Sequence, residues 1–105
     1  MTFNTGAVLL DALVLSVVHQ QDTYGYKITQ DVRNVVDISE STLYPVLRRL
    51  QKDGHLAAYD QEYAGRNRRY YTITPKGEEK LSECRAEWVV YRGKIENLLF
   101  GGIAQ

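Results

Sequence analysis

The residues best suited to bind another molecule are basic, and they concentrate in the middle of the chain. Residues 39–76 hold seven basic and four acidic side chains, a net charge of +3, whereas residues 1–38 sum to −2 and residues 77–105 to −1. The whole chain carries 13 basic and 13 acidic residues, so the excess is local. The neutral total argues against general binding of polyanions, and the local excess places any nucleic-acid surface in the middle third.

Part of this basic segment is predicted to form an amphipathic helix over residues 39–53. Its apolar residues recur at i, i+3, i+4 and i+7: Leu43, Val46, Leu47 and Leu50. The face opposite this stripe is small, polar and cationic: Ser41, Pro45, Arg48 and Lys52. Tyr44 and Arg49 lie on the flanks. Ser39 or Ser41 can cap the start of the helix, and Gly54 ends it.

The rest of the basic charge falls on a predicted β-hairpin. Its strands, Leu56–Tyr63 and Arg68–Thr74, are rich in tyrosine, threonine and isoleucine, which favour strands. Residues 64–67 form the predicted turn, where Gly65 and Asn67 tolerate the positive φ of a tight return. The tip and the first return positions carry three arginines: Arg66, Arg68 and Arg69.

Two further helices are predicted before the basic segment. Residues 5–20 are apolar around much of the helix circumference, so this helix must be buried on more than one side. A second helix at residues 24–35 places Tyr24, Ile28 and Val32 at intervals of four. Three helices followed by a basic two-stranded hairpin is the order of a winged helix-turn-helix.

The end of the chain is predicted to form one long helix that reaches about Leu99. Six of its residues follow a heptad seam: Leu81, Cys84, Trp88, Tyr91, Ile95 and Leu98. This seam is too short for a free coiled coil, but it suffices for a dimerisation helix that packs on its own copy or on the first helix. We therefore expect an α+β, mainly α fold. A winged-helix DNA-binding domain occupies residues 1–76, and a C-terminal dimerisation helix at 77–105 packs on the same unit.

Enzymatic and metal-binding functions find no support in the sequence. It contains no Ser/His/Asp set, no phosphate-cradling glycine loop and no paired carboxylates in an apolar stretch, so we expect no enzyme and no cofactor. His19 and His55 lack partners at ligand spacing, which argues against a metal. Cys84 is the single cysteine, no apolar run reaches about 18 residues, and no basic residue precedes Lys27. These features predict a cytoplasmic protein with no membrane partner.

Three motifs resemble those of the PadR family of bacterial transcriptional regulators, in the family's order and spacing. They are STLYPVLRRL at residues 41–50 with KDGHL at 52–56, YGYKI at 24–28, and GRNRRYYTITPKG at 65–77. Ser41 stands where the family usually has glycine, and Lys27 where it usually has an acidic residue. The single C-terminal helix is similar to that of the short subfamily, some of whose members respond to flat aromatic drugs.

The resemblance implies a homodimeric repressor that binds an inverted-repeat operator in double-stranded DNA. The expected DNA contacts lie on the third helix and the hairpin: Ser41, Thr42, Tyr44, Arg48, Lys52, Arg66 and Arg68. The residue chemistry agrees with this role. A cationic helix face fits a major groove about 12 Å wide, and the start of a helix gathers N–H donors and positive dipole for a phosphate. The hairpin arginines would reach the adjacent minor groove or backbone.

Trp88 has two interpretations. Its place on the seam is typical of a dimer contact. In the drug-responsive members that the chain resembles, a tryptophan of the last helix sandwiches planar aromatic ligands between the subunits. That resemblance implies a hydrophobic pore lined by Trp88 with Ala12, Val89 and Tyr91. A planar aromatic ligand in this pore is expected to change operator binding, by releasing the operator or by tightening the complex.

One alternative to a regulator is left open by the sequence. A winged helix that no longer reads DNA could use its hairpin arginines to engage an acidic protein surface. Salt-dependent binding of a palindromic duplex, lost on Arg48→Ala, separates the two hypotheses.

Overall fold

The computed structural model describes residues 6–101 and shows four helices and a three-stranded sheet in that range. The elements in chain order are α1 (Ala7–Gln20), β1 (Thr23–Tyr24), α2 (Gly25–Arg33), α3 (Glu40–Lys52), β2 (Leu56–Tyr63), β3 (Arg66–Ile73) and α4 (Pro75–Leu99). The predicted α+β, mainly helical class is confirmed. The predicted start of the first helix at residue 5 lies outside the described residues.

The core lies between the first three helices, the inner face of the sheet and the start of α4. Its buried members are Val14, Leu15, Val18, Ile28, Val32, Leu43, Leu47, Leu50, Leu56, Tyr71 and Leu81. The stripe predicted on α3 supplies three of them, and its fourth member, Val46, packs half-buried against the same core. Helix α1 uses only part of its circumference here, which leaves its remaining apolar residues for a second contact.

The ends of α3 follow from local chemistry. Ser39 is the N-cap, and its hydroxyl accepts a hydrogen bond from the Thr42 backbone N–H, which satisfies one of the donors left free in the first turn. At the other end, Gly54 has φ of +84°, a conformation that glycine adopts without a Cβ penalty. Both predicted end signals are confirmed, and together they set where α3 begins and ends.

The sheet differs from the predicted hairpin in two ways. First, β1 pairs with β3 and makes the strand order β1-β3-β2, with Tyr24 opposite Tyr70. The predicted second helix at residues 24–35 is therefore too long at both ends, and the helix spans Gly25–Arg33. Val35, beyond that helix, is 70% exposed. A strand of two residues has no periodicity that a sequence pattern can reveal.

Second, the turn of the hairpin is shorter than residues 64–67. Arg66 already belongs to β3 and pairs with Tyr63, so only Ala64 and Gly65 connect the strands. Their φ values are +53° and +80°, and Asn67 lies in the strand. Two-residue hairpin loops with positive φ at both positions match the right-handed twist of the strands, which is why the tighter turn forms. We call residues 56–73 the wing.

Helix α4 joins the core at its start and leaves it afterwards. Thr74 caps it through a hydrogen bond from the Gly77 N–H, 3.0 Å long, and Pro75 occupies the first helical position. Gly77 is buried where a Cβ would clash with the His55 carbonyl oxygen, so glycine lets α4 approach the wing. At 1.5 Å per residue a helix of 25 residues is about 37 Å long, and the molecule measures 56 × 26 × 20 Å.

Candidate nucleic-acid interface and apolar pocket

The start of α3 presents a cluster of hydroxyl groups. The Ser39 hydroxyl lies 3.0 Å from that of Ser41 and 2.9 Å from that of Thr42, and all three residues are exposed. Tyr44, one turn further, is half-buried in contact with the core. This end of the helix therefore offers hydroxyl donors beside the positive end of the helix dipole, the arrangement that binds a phosphate.

The predicted cationic face of α3 is exposed. Arg48 and Lys52 lie on it without a hydrogen-bonding or ion-pairing partner among residues 6–101. Arg49, the next residue along from Arg48, turns toward the body of the protein. The face that the sequence defines by 100° projection therefore coincides with the surface that the fold leaves open.

Arg49 is held by a buried carboxylate. Asp11 of α1 is only 5% exposed. Its Oδ2 accepts a hydrogen bond of 3.2 Å from Arg49 Nη1, and its Oδ1 accepts a second one from Nη2. The hydrogen bonding to Asp11 raises the pKa of the Arg49 guanidinium above its ordinary value. Lys80 Nζ of α4 lies 3.8 Å from Oδ2. The carboxylate therefore ties α3 to both α1 and α4, a role that sequence reasoning missed, although a lone aspartate in an apolar helix was a signal.

The two wing arginines predicted to contact DNA have different surroundings. Arg66 is exposed at the tip, opposite Tyr63. The Arg68 guanidinium lies 4.0 Å from the centroid of the Tyr24 ring and 4.1 Å from that of Tyr63. Both distances are within the range of a cation–π contact. The Arg68 guanidinium thus lies against two tyrosine rings, whereas Arg66 has no such contact within residues 6–101.

Tyrosine rings continue from Arg68 along the outer face of the sheet. Tyr70 meets Tyr24 edge-on, with centroids 5.7 Å apart, and stacks on Tyr59 at 5.8 Å. The Tyr59 hydroxyl donates a 2.9 Å hydrogen bond to Asp22, which raises the pKa of Tyr59. The tyrosine content of these segments predicted strands, but not this cluster of rings.

An apolar pocket of about 440 Å³ lies between α1 and α4. The residues that line the pocket include Leu9, Ala12, Leu13, Val36, Trp88 and Val89. Three of the four residues predicted to hold an aromatic ligand thus line one cavity. Tyr91 does not line it, because it lies one helical turn beyond Trp88, where the two ring centroids are 6.3 Å apart.

The predicted heptad seam divides into two parts. Leu81 and Cys84 are 1% and 4% exposed and are buried within the chain itself, where burial raises the pKa of the Cys84 thiol. Trp88, Tyr91 and Ile95 are half-buried. Leu98 is 86% exposed. The first two seam residues are therefore covered without a second copy, and apolar surface remains on the later turns of α4.

Neither a metal-binding cluster nor a membrane-spanning helix is found in the described part of the chain. Residues 6–101 hold no group of three His, Cys, Asp or Glu side chains placed to bind a metal ion. No helix in that range has both the length and the apolar character that a membrane span requires.

Comparison with known families decides the affiliation of the chain. The model of the "Transcriptional regulator PadR-like family" matches residues 14–83, a range that runs from α1 into α4. The chain belongs to the PadR-like family. PadR-like proteins are transcriptional regulators, so the resemblance noted in the three motifs is confirmed.

Individual relatives share this architecture. The transcriptional regulator Rv3488 of Mycobacterium tuberculosis is 37% identical over 78 residues, which cover 70% of this chain and 73% of that protein. The crystal structure of smu.1704 from Streptococcus mutans is 41% identical, covers 100% of this chain and 99% of that one, and superposes with a TM-score of 0.87. PadR of Bacillus subtilis, solved in complex with operator DNA, is 21% identical with a TM-score of 0.64, over 71% of this chain and 45% of that one, and shares the fold.

Proposed function

We propose that this PadR-like protein is a homodimeric repressor that binds an inverted-repeat operator through α3 and the wing. The observation that carries the proposal is the open face of α3, where Arg48 and Lys52 are exposed and lack an acidic partner in residues 6–101. On an ordinary solvated helix face of mixed charge, such cations would form ion pairs with acidic residues three or four positions away. PadR of Bacillus subtilis, which shares this fold, forms a complex with operator DNA, and this supports the same use of the fold.

Each expected contact has a distinct task in this proposal. Arg48 and Lys52 meet base edges or phosphates in the major groove, which admits one helix. Ser41, Thr42 and the first-turn N–H groups bind a phosphate and fix the register of α3. Tyr44 donates its hydroxyl to the backbone, and Arg66 extends from the wing tip to the neighbouring minor groove.

A second copy of the chain would complete the DNA-binding surface. Exposed apolar side chains remain on and just after the later turns of α4: Val89, Val90, Leu98, Leu99 and Phe100. An apolar surface of this kind on a small domain is typical of an interface. We propose that two α4 helices pack through this surface together with the apolar outer side of α1. The dimer would place two α3 helices about 34 Å apart, one helical turn of DNA.

The pocket between α1 and α4 is the proposed site of a planar aromatic effector. Its volume of about 440 Å³ is in the usual range for small-molecule sites, and its walls are mostly apolar. Trp88 and Val89 line the pocket next to the proposed dimer surface, so a ligand there would touch the contact between subunits. A small change in the angle between the two subunits would then alter the distance between the two α3 helices and the affinity for the operator.

The DNA proposal is tested by footprinting on the region upstream of the protein's own coding sequence. If the dimer makes about 6 to 10 phosphate contacts, affinity falls about 10³- to 10⁵-fold between 50 and 200 mM salt. Arg48→Ala should abolish the footprint at the higher salt. A salt-independent interaction, or a monomer at micromolar concentration by sedimentation, contradicts the proposal and favours the protein-interaction alternative.

The effector proposal has an optical test, because Trp88 is the single tryptophan. Planar cationic dyes added in series should quench its fluorescence in a saturable way. Ala12→Leu, which narrows the pocket at α1, should move the quenching curve to higher dye concentration, with each curve normalised to the emission of its own unliganded protein. Unchanged emission at saturating dye would assign Trp88 to packing alone.

A further inference from the structure

We infer that Arg68 is a positioning residue of the wing, an inference that rests on the proposed function for its role in DNA binding. Its guanidinium, held between the rings of Tyr24 and Tyr63, fixes the wing against the strand that leads into α2. Arg66 at the tip is thereby held where it meets the same duplex as α3.

The sheet register explains why the wing needs such a contact. β1 pairs with β3 only at Tyr70 and Tyr71, so residues 60–69 project as a two-stranded ribbon beyond the third strand. A two-stranded ribbon by itself is marginally stable, and it twists readily. Without a further contact, the direction of the tip relative to α3 would be poorly defined.

The ring contacts supply that connection from the base of the wing to its tip. Tyr24 is the residue directly before α2. Tyr63 is the last residue of β2 and pairs with Arg66. Arg68 touches both rings, at 4.0 and 4.1 Å, on the face of the sheet opposite the core. The contact therefore joins the tip of the wing to the start of α2.

The chemistry of the side chain suits this task. A planar guanidinium stacks on aromatic rings in a defined orientation, whereas a lysine ammonium is a compact charge on a flexible stem. Positioning and direct phosphate contact therefore make opposite predictions for Arg68→Lys. Lysine keeps a phosphate contact but loses the stacked geometry.

The first test measures the wing without DNA. Hydrogen exchange of the amides of residues 61–68 is compared in the wild type, Arg68→Ala, Arg68→Lys, Tyr63→Leu and Tyr63→Phe. Loss of both ring contacts should accelerate exchange about 5- to 30-fold in Arg68→Ala, as two exposed cation–π contacts would give. Tyr63→Leu removes one of the two contacts and should accelerate exchange about 2- to 5-fold. Arg68→Lys loses the planar guanidinium and should lie between the wild type and Arg68→Ala. Tyr63→Phe keeps the ring and should exchange as the wild type does. Wild-type exchange in Arg68→Ala would overturn the inference.

The second test measures binding to a duplex of about 40 base pairs that the wild-type protein selects from a random pool. A duplex of about this length holds two half-sites one helical turn apart. Arg66→Ala, Arg68→Ala and the double variant form a cycle. If Arg68 acts by positioning Arg66, Arg68→Ala should weaken DNA binding clearly when Arg66 is present. When Arg66 has already been replaced by alanine, adding Arg68→Ala should weaken binding by less than about twofold, since the effects of coupled residues are not additive. If Arg68 contacts phosphate itself, the losses add and the salt slope falls by a further unit or so per protomer.

The outcomes separate this inference from the proposed function. Faster exchange in Arg68→Ala with no duplex selected by the wild type would defeat the DNA-binding proposal and leave the contact between wing and α2 in place. A selected duplex with additive losses would defeat the positioning role and leave the DNA-binding proposal intact.

Discussion

Helix α3 carries two adjacent arginines and the wing carries three, and in each element one arginine is held by contacts within the protein while another is exposed without a partner among the described residues. On α3, Arg49 is bonded to buried Asp11 while Arg48 faces away from the core. On the wing, the Arg68 guanidinium lies over the rings of Tyr24 and Tyr63, while Arg66 is exposed at the tip. The same residue type thus has two kinds of surroundings within one or two positions.

The comparison teaches that positive charge alone does not identify a DNA contact. An arginine that already makes hydrogen bonds or ring contacts within the protein stabilises the packing of the elements it joins, because moving it to DNA would break those contacts. An arginine without a partner raises the local potential and gains most from a polyanion. Arg48 and Arg66 are of the second kind. Arg49 and Arg68 are of the first kind and stabilise the surrounding structure.

The largest expected effect is the loss of stability in Arg49→Ala. Removing this partner leaves the Asp11 carboxylate buried beside Lys80 alone. Because the Arg49 side chain is 45% exposed, we expect a decrease in the free energy of unfolding of about 2–3 kcal/mol, less than for a fully buried pair. Arg48→Ala is the matched control and should change stability by less than about 0.5 kcal/mol. Urea unfolding of both variants measures the difference, and equal stabilities would remove the distinction between the two arginines.

The reverse order is expected for DNA binding. Arg48→Ala should cost about 1–2 kcal/mol of binding free energy and reduce the salt slope by about one per protomer. Arg49→Ala, assayed at a temperature where it is folded, should keep the wild-type slope because Arg49 makes no phosphate contact. Filter binding or anisotropy at several salt concentrations measures both slopes. A reduced slope in Arg49→Ala would show that the residue leaves Asp11 to bind DNA.

The smallest expected effect concerns His55, whose imidazole makes no hydrogen bond to a carboxylate among the described residues. Burial, and then the neighbouring Lys80 and Lys76, lower the pKa of His55 from 6.5, and its Nδ1 is buried without a hydrogen-bond partner among the described residues. Below pH 6.5 the unfolded chain therefore binds more protons than the folded one, so stability decreases as pH falls through that value.

His55→Gln tests this pH dependence. Between pH 7.5 and 5.5 the wild type should lose more stability than the variant, as measured by urea unfolding at each pH. Parallel pH profiles would mean that protonated His55 finds a partner after all, as Arg49 does.

The elements themselves were largely predictable from the sequence. The stripe of α3, its Ser39 cap, the Gly54 end and the two strands of the wing depend on residues within a few positions of one another. So does the long helix to Leu99. The β1 strand and the two-residue turn were missed, since the first has no periodicity and the second depends on how two strands twist together.

The site was predictable only as a set of candidates. Sequence placed Arg48, Lys52 and Arg66 on exposed surfaces, and the structure leaves them there. It also brought Ala12, Val89 and Trp88 into one proposed pocket, and they line the same cavity. The remaining prediction there, Tyr91, lies outside that cavity because it is one turn too far along α4. The proposed roles of these residues in binding await the experiments above.

What the sequence determined by itself was the order of elements and the location of positive charge, because helix and strand patterns are set by neighbouring residues. Which cations are held and which are open was decided by the tertiary structure. Asp11 and Arg49 are 38 residues apart, and Tyr24 and Arg68 lie in different elements. Contacts of this kind form only when distant segments pack, and no local pattern encodes the angle at which they meet.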